Sequence, residues 1–148
     1  MSELAPGHHG FDDVAVGDFL MTPERTVTIA DIEAFAAVST DRFEIHMDDD
    51  AARRHGFPAR VAHGLLVLAM VDGLKNAAPA QFKAIASLEW NFTFRKPVFA
   101  GDTLGVRVSV AEKRTVSNPA RGILGLTFDV SRNGEPLQTG HNLLMVYR

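Results

Sequence analysis

Asp41 is followed five positions later by His46, and the pair His63-Gly64 opens a strongly apolar stretch. A carboxylate and an imidazole on one short loop, aimed at a helix start, are enough to move a proton to or from a carbonyl compound. Gly64 at such a start removes a side chain and leaves backbone N–H groups whose dipole favours developing negative charge. In outline that is an oxyanion hole. The same residues also have plainer uses. Asp41 can cap a turn, His46 can pack beside the helix cap at Asp48, Gly64 can let a helix approach a sheet, and His63 can be a satisfied core histidine.

The 148 residues are 46% hydrophobic, which suffices for one globular domain with a sizeable core. A net charge of -3 with scattered Lys and Arg gives no footprint for nucleic acid or an anionic membrane. The absence of Cys excludes disulfides, thiolate metal sites and a thiol nucleophile. Neither a signal-peptide pattern nor an apolar run approaching the roughly 20 residues of a membrane span is present. Cytoplasm is the expected compartment. Residues 1–10 are polar and expected to be a disordered tail, with no role for His8 and His9, leaving residues 11–148 as one domain.

The elements that must position the chemistry follow from periodicity. Thr28 and Asp31 flank the start of a helix predicted over 29–38, with Ile29, Ile32, Phe35 and Ala36 on its apolar face. Asp48 to Gly56 places carboxylates first, cations last and Gly at the stop, which predicts a second short helix. Residues 62–77 are apolar on nearly every face at first, as suits a buried central helix. The period then changes to two: Leu88, Trp90, Phe92 and Phe94, then Leu104 to Val110, then Leu124 to Val130, and a last strand from Leu137 to Tyr147 after the turn pair Asn133-Gly134. Helices first and four strands in series predict an α+β fold, a curved antiparallel sheet packed on one long helix. An exposed sheet edge in such a fold invites pairing with an identical copy.

Taken together, these segments resemble the MaoC-like dehydratases, the group that includes the (R)-specific enoyl-CoA hydratases and adopts the hotdog fold. The resemblance rests on FDDVAVGD at 11–18, TVTIADIEAFAAVS at 26–39, Asp41 and His46, AHG at 62–64 and RKPVFAGDTL at 95–104. The family's usual Gly-Asp-x-Asn-Pro-x-His frame is altered here, with Thr40 in place of Gly and Phe43-Glu44 in place of Asn-Pro. The form FEIHMD is similar to the hydratase domain of bifunctional phenylacetate-degradation enzymes.

The resemblance implies reversible syn hydration of 2-enoyl-CoA thioesters to (R)-3-hydroxyacyl-CoA. Asp41 and His46 would be the catalytic pair and the Gly64 N–H the oxyanion donor. His63, Phe43, Arg60, Arg95 and Lys96 are the candidate substrate contacts. It implies no metal and no cofactor beyond the coenzyme A carried by the substrate, and a homodimer or higher homo-oligomer. A hotdog acyl-CoA thioesterase, a non-catalytic acyl-CoA binding module and one subunit of a two-component dehydratase are the competing readings.

Overall fold

The computed structural model describes residues 1–148. Helix α1 (Ile29–Ser39) starts where Thr28 and Asp31 cap each other. The Thr28 hydroxyl accepts the Asp31 N–H at 3.1 Å, and the Asp31 carboxylate accepts the Thr28 N–H at 2.9 Å. The helix ends on Thr40 at φ 62°, ψ 9°, a left-handed cap that normally falls to glycine. A β-branched residue is strained there. Thr40→Gly is therefore expected to stabilise the fold by about 0.5–1 kcal/mol, after the extra freedom of an unfolded glycine is deducted. Calorimetry would show a melting temperature raised by about 3 °C, and an unchanged or lowered value would refute the strain.

Two short helices follow, α2 (Glu44–Met47) and α3 (Asp49–Arg54). The first stands where a loop was expected, so His46 sits on a helical turn and not on the same loop as Asp41. The second is the helix expected from Asp48, whose side chain accepts the Ala51 N–H at 2.9 Å, and Gly56 at φ 92° follows it. Helix α4 (Gly64–Ala77) is the long central one. It buries Leu66, Val67, Met70, Val71 and Leu74 against the sheet, but Leu65, Ala69 and Gly73 form an exposed stripe, with Leu65 62% exposed. Burial on every face is thus not what the fold delivers, because the sheet covers the helix from one side. No helix is long and apolar enough to cross a membrane.

The strands are β1 (Gly7–His9), β2 (Phe19–Met21), β3 (Arg25–Thr26), β4 (Ala80–Phe82), β5 (Ala84–Phe92), β6 (Thr103–Thr115), β7 (Arg121–Arg132) and β8 (Glu135–Tyr147). The main sheet runs β2-β6-β7-β8-β5, with β3 extending the β2 side of β6. Strands β6, β7 and β8 form the expected meander, and Asn133-Gly134 turns the last hairpin with both φ positive, 51° and 82°. The first of the four expected strands departs from a simple series: β5 crosses over to pair with β8 instead of its sequence neighbour β6. The alternating residues Leu104 to Val110 and Leu124 to Val130 are buried, as their period requires.

In β5 the period is broken by irregularities at Ala84/Ala86 and Ser87/Glu89. Leu88 consequently faces solvent, and Phe94 lies beyond the strand's end. Trp90 and Phe92 remain on the core. The Phe92 ring lies flat over Gly140, where a built Cβ would stand only 1.9 Å from ring carbons. The curved sheet wrapped on α4 is the hotdog arrangement.

The first ten residues are a correction to the sequence reading. Gly7–His9 pair in parallel with Ala80–Phe82, Leu4 packs on the core, and Phe11 is part of it. Polar side chains do not prevent this, because the pairing uses backbone groups, such as the Gly7 N–H to Pro79 and the Lys83 N–H to the His9 carbonyl.

Candidate active site

Val61 organises the site through its backbone. Its N–H donates to the Ile45 carbonyl at 2.9 Å, and its own carbonyl accepts from His46 Nδ1 at 2.7 Å. A carbonyl only accepts, so Nδ1 carries the proton, and Nε2 of neutral His46 is left with a free lone pair. The next residue, Ala62, donates to the Val98 carbonyl at 2.7 Å, which ties the segment before α4 to the 95–104 turn.

His63 is 2% exposed and stacks on His46, with ring centroids 4.0 Å apart and planes 26° from parallel. Its Nε2–H donates to the Asp41 carbonyl at 2.9 Å, while Nδ1 is buried without a partner. This bond carries the backbone of Asp41 to the start of α4, so His63 acts through the loop. The Asp41 carboxylate is exposed and accepts the Phe43 N–H at 3.2 Å, the turn cap that its sequence allowed. An Asp41 oxygen and one nitrogen of each imidazole lie within 4.8 Å of one another. No hydrogen bond joins Asp41 to His46 directly, and such a separation suits one water bridging carboxylate and imidazole. To hold a metal ion the stacked rings would have to splay, because lone pairs in nearly parallel ring planes do not converge on one point.

A cavity of about 360 Å³ opens beside this group, lined among others by His46, Gly64, Phe94, Arg95, Lys96 and Gln138. Gly64 is the first residue of α4, and the space a Cβ would fill there is occupied by the Phe94 ring, 3.0–3.1 Å from that position. Phe94 is 48% exposed, so the ring covers the helix start from a surface segment.

The other sequence candidates divide. Arg95 and Lys96 line the cavity. Phe43 packs edge-on near His46, with centroids 6.1 Å apart, but does not line the cavity. Arg60 is not a free cation. Its N–H and its Nε–H both donate to Asp49, at 2.9 and 3.3 Å, and Nη1 lies 3.9 Å from Glu33. The backbone bond from Arg60 holds the Asp49 carboxyl below its ordinary range, against desolvation that pushes it up, and the guanidinium adds to the lowering. Arg60 thus secures α3 and stands away from the cavity. Sequence reasoning did not find Phe94 as the cover of Gly64, nor Gln138 at all. The available signal for Gln138 was a polar side chain at an inward position of β8, where Asn142 is the other.

Comparison with known proteins bears on the family and the fold. "Protein MaoC" of Klebsiella aerogenes is 40% identical over 111 residues, 74% of this chain, and the chain spans only 33% of that protein's length. The (R)-specific enoyl-CoA hydratase of Rhodospirillum rubrum is 31% identical over 105 residues, 69% of each chain. The crystal structure of the MaoC-like dehydratase from Rhodospirillum rubrum superposes with a TM-score of 0.84 at 27% identity, covering 95% of this chain and 97% of that one. A Mycobacterium tuberculosis protein described as a double hotdog fold shares the fold, with a TM-score of 0.83 at 22% identity, 95% of this chain and 44% of that one being covered. The family model of the MaoC-like domain matches residues 14–130, a span that holds the stacked imidazoles, Gly64 at the helix start and the 95–104 turn, and the chain belongs to that family.

Proposed function

We propose that the protein catalyses reversible syn addition of water to the C2=C3 bond of 2-enoyl-CoA thioesters, giving (R)-3-hydroxyacyl-CoA. The observation that carries this is His46, with Nδ1–H committed to Val61 and Nε2 free, set beside the Asp41 carboxylate at a spacing suited to one water. Water is a poor nucleophile, and its addition to C3 leaves an enolate-like charge on the thioester oxygen. Asp41 and His46 hold the water and take its proton as oxygen bonds to C3. The Gly64 N–H steadies the thioester oxygen, and the pair returns a proton to C2. Because both groups face the same water, the two act as one acid–base unit. Arg95 and Lys96, on the cavity wall, are placed to meet the phosphates of coenzyme A. The reaction as proposed draws on protein groups and water, with coenzyme A entering as part of the substrate. The Rhodospirillum rubrum relative named for this activity supports the reading.

The test is incubation of the purified chain with crotonyl-CoA, following loss of the conjugated enoyl absorbance and the configuration of the 3-hydroxy product. No hydration across short and medium 2-enoyl-CoAs would overturn the proposal, and release of free thiol would mark a thioesterase.

Strand β5 ends the sheet, so one of its edges offers backbone groups to a further strand, and Leu88 is exposed on it. We propose that two copies pair along β5, as the double hotdog neighbour, with its longer chain, suggests. Light scattering is expected to give the mass of two chains for the natural protein and a lower mass for Leu88→Asp. A natural protein with the mass of one chain would exclude the pairing.

A further inference from the structure

Gln138 is a glutamine in a place that a leucine would fill. It stands opposite Val130 in the β7–β8 register, and directly opposed residues share a face of the sheet. Val130 belongs to the core, so the Gln138 side chain lies on the inner face as well, in the row that continues through Gly140, Asn142, Leu144 and Val146. Gln138 is only 7% exposed, its Nε2 has no hydrogen-bond partner, and no other atom of its side chain makes a hydrogen bond. A buried amide left unpartnered is unfavourable unless something arrives to satisfy it. Gln138 lines the same cavity as His46 and Gly64, and it also lines an adjoining groove of about 320 Å³ that it shares with Arg95. The unpartnered donor therefore lies on the wall common to the cavity and the groove.

We propose that Gln138 is a specificity-determining residue whose side-chain amide donates to a carbonyl oxygen of the substrate other than that of the thioester. This rests on the enoyl thioester reading and names what that substrate must carry. Two sources offer such an oxygen: an amide of the thiol arm, or a carbonyl farther along the acyl chain. A site built around a hydrogen bond discriminates strongly against a substrate lacking the partner, because the buried group is then left unpaired.

The test compares the natural protein with Gln138→Leu on two matched pairs of substrates. The first pair is the crotonyl thioester of N-acetylcysteamine and the crotonyl thioester of pentanethiol, which lacks the amide. The second is a straight-chain 2-enoyl-CoA and the same chain with a keto group near its far end. In one pair, Gln138→Leu is expected to lower kcat/KM for the carbonyl-bearing member by about tenfold, mainly through KM, and to leave its partner unchanged. A loss for the N-acetylcysteamine thioester and for both CoA thioesters alike, with the pentanethiol thioester unchanged, assigns the thiol arm, and a loss for the keto-bearing CoA thioester alone assigns the acyl chain.

The melting temperature of Gln138→Leu is expected to hold or rise, since an unsatisfied amide is removed; a purely structural glutamine would lower it. Equal changes for all four substrates, or none, overturn the proposal. The saturated analogues of the same four thioesters, compared by dissociation constant, read the contact without turnover. An inactive natural protein that still discriminates through Gln138 would thus refute the hydratase reading and leave this one standing, and dissociation constants in the same ratios for the natural protein and Gln138→Leu would refute this one.

Discussion

Asp41→Asn and His46→Gln are each expected to lower the rate of enoyl-CoA hydration by about 10²–10⁴ while the chain keeps its fold, as positioned acid–base groups generally do. Asparagine preserves the turn, since its side-chain oxygen can still accept the Phe43 N–H that Asp41 accepts at 3.2 Å. What it loses is the charge and the ability to take a proton. Glutamine at position 46 keeps an amide donor, one bond farther out than the Nδ1 that meets the Val61 carbonyl, but it has no basic nitrogen to replace Nε2. Because the two groups act on one water, the double variant should be little worse than the more damaged single variant. Steady-state hydration of crotonyl-CoA, with circular dichroism as the check on folding, reads all three. Parental rates in both single variants would remove the pair from the mechanism.

Gly64→Pro should cost about 10²–10³ in kcat, the usual loss when one oxyanion donor is removed. Proline is tolerated at the first position of a helix, and the preceding His63 already has φ -56° and ψ 136°, the extended geometry that a following proline demands. The substitution therefore deletes one N–H without breaking α4. It also adds a Cβ that meets the Phe94 ring, which is half-exposed and can swing aside. Gly64→Ala supplies the same Cβ and keeps the N–H, so the excess cost of proline over alanine reads replacement of the N–H by the ring. Kinetics in which alanine and proline cost equally would show that crowding by Phe94 matters and the amide does not.

Much of this architecture was legible because it rests on local rules. The reciprocal cap at Thr28 and Asp31, the period-two runs of β6 and β7, and the Asn133-Gly134 hairpin all depend on residues near one another in the chain. The α2 turn was missed because four residues carry too little periodicity to register. The pairing of Gly7–His9 was missed because its partner is 73 positions away and is joined through backbone groups, about which side-chain types say little. The β5 bulges escaped for a related reason: Leu88, Trp90, Phe92 and Phe94 alternate perfectly in sequence, but the irregular register against β8 turns Leu88 outward.

At the site the division is similar. The sequence by itself determined which groups are available: one carboxylate, two imidazoles and a glycine at a helix start, without any thiol. Only the tertiary structure decided how they are used. The His46 tautomer follows from the Val61 carbonyl 15 residues away, the Asp41 loop is held by His63 across 22, and Arg60 is withdrawn from the cavity by Asp49. Hydrogen bonds between distant backbone and side-chain groups form only when the chain has closed on itself, so no local pattern can announce them.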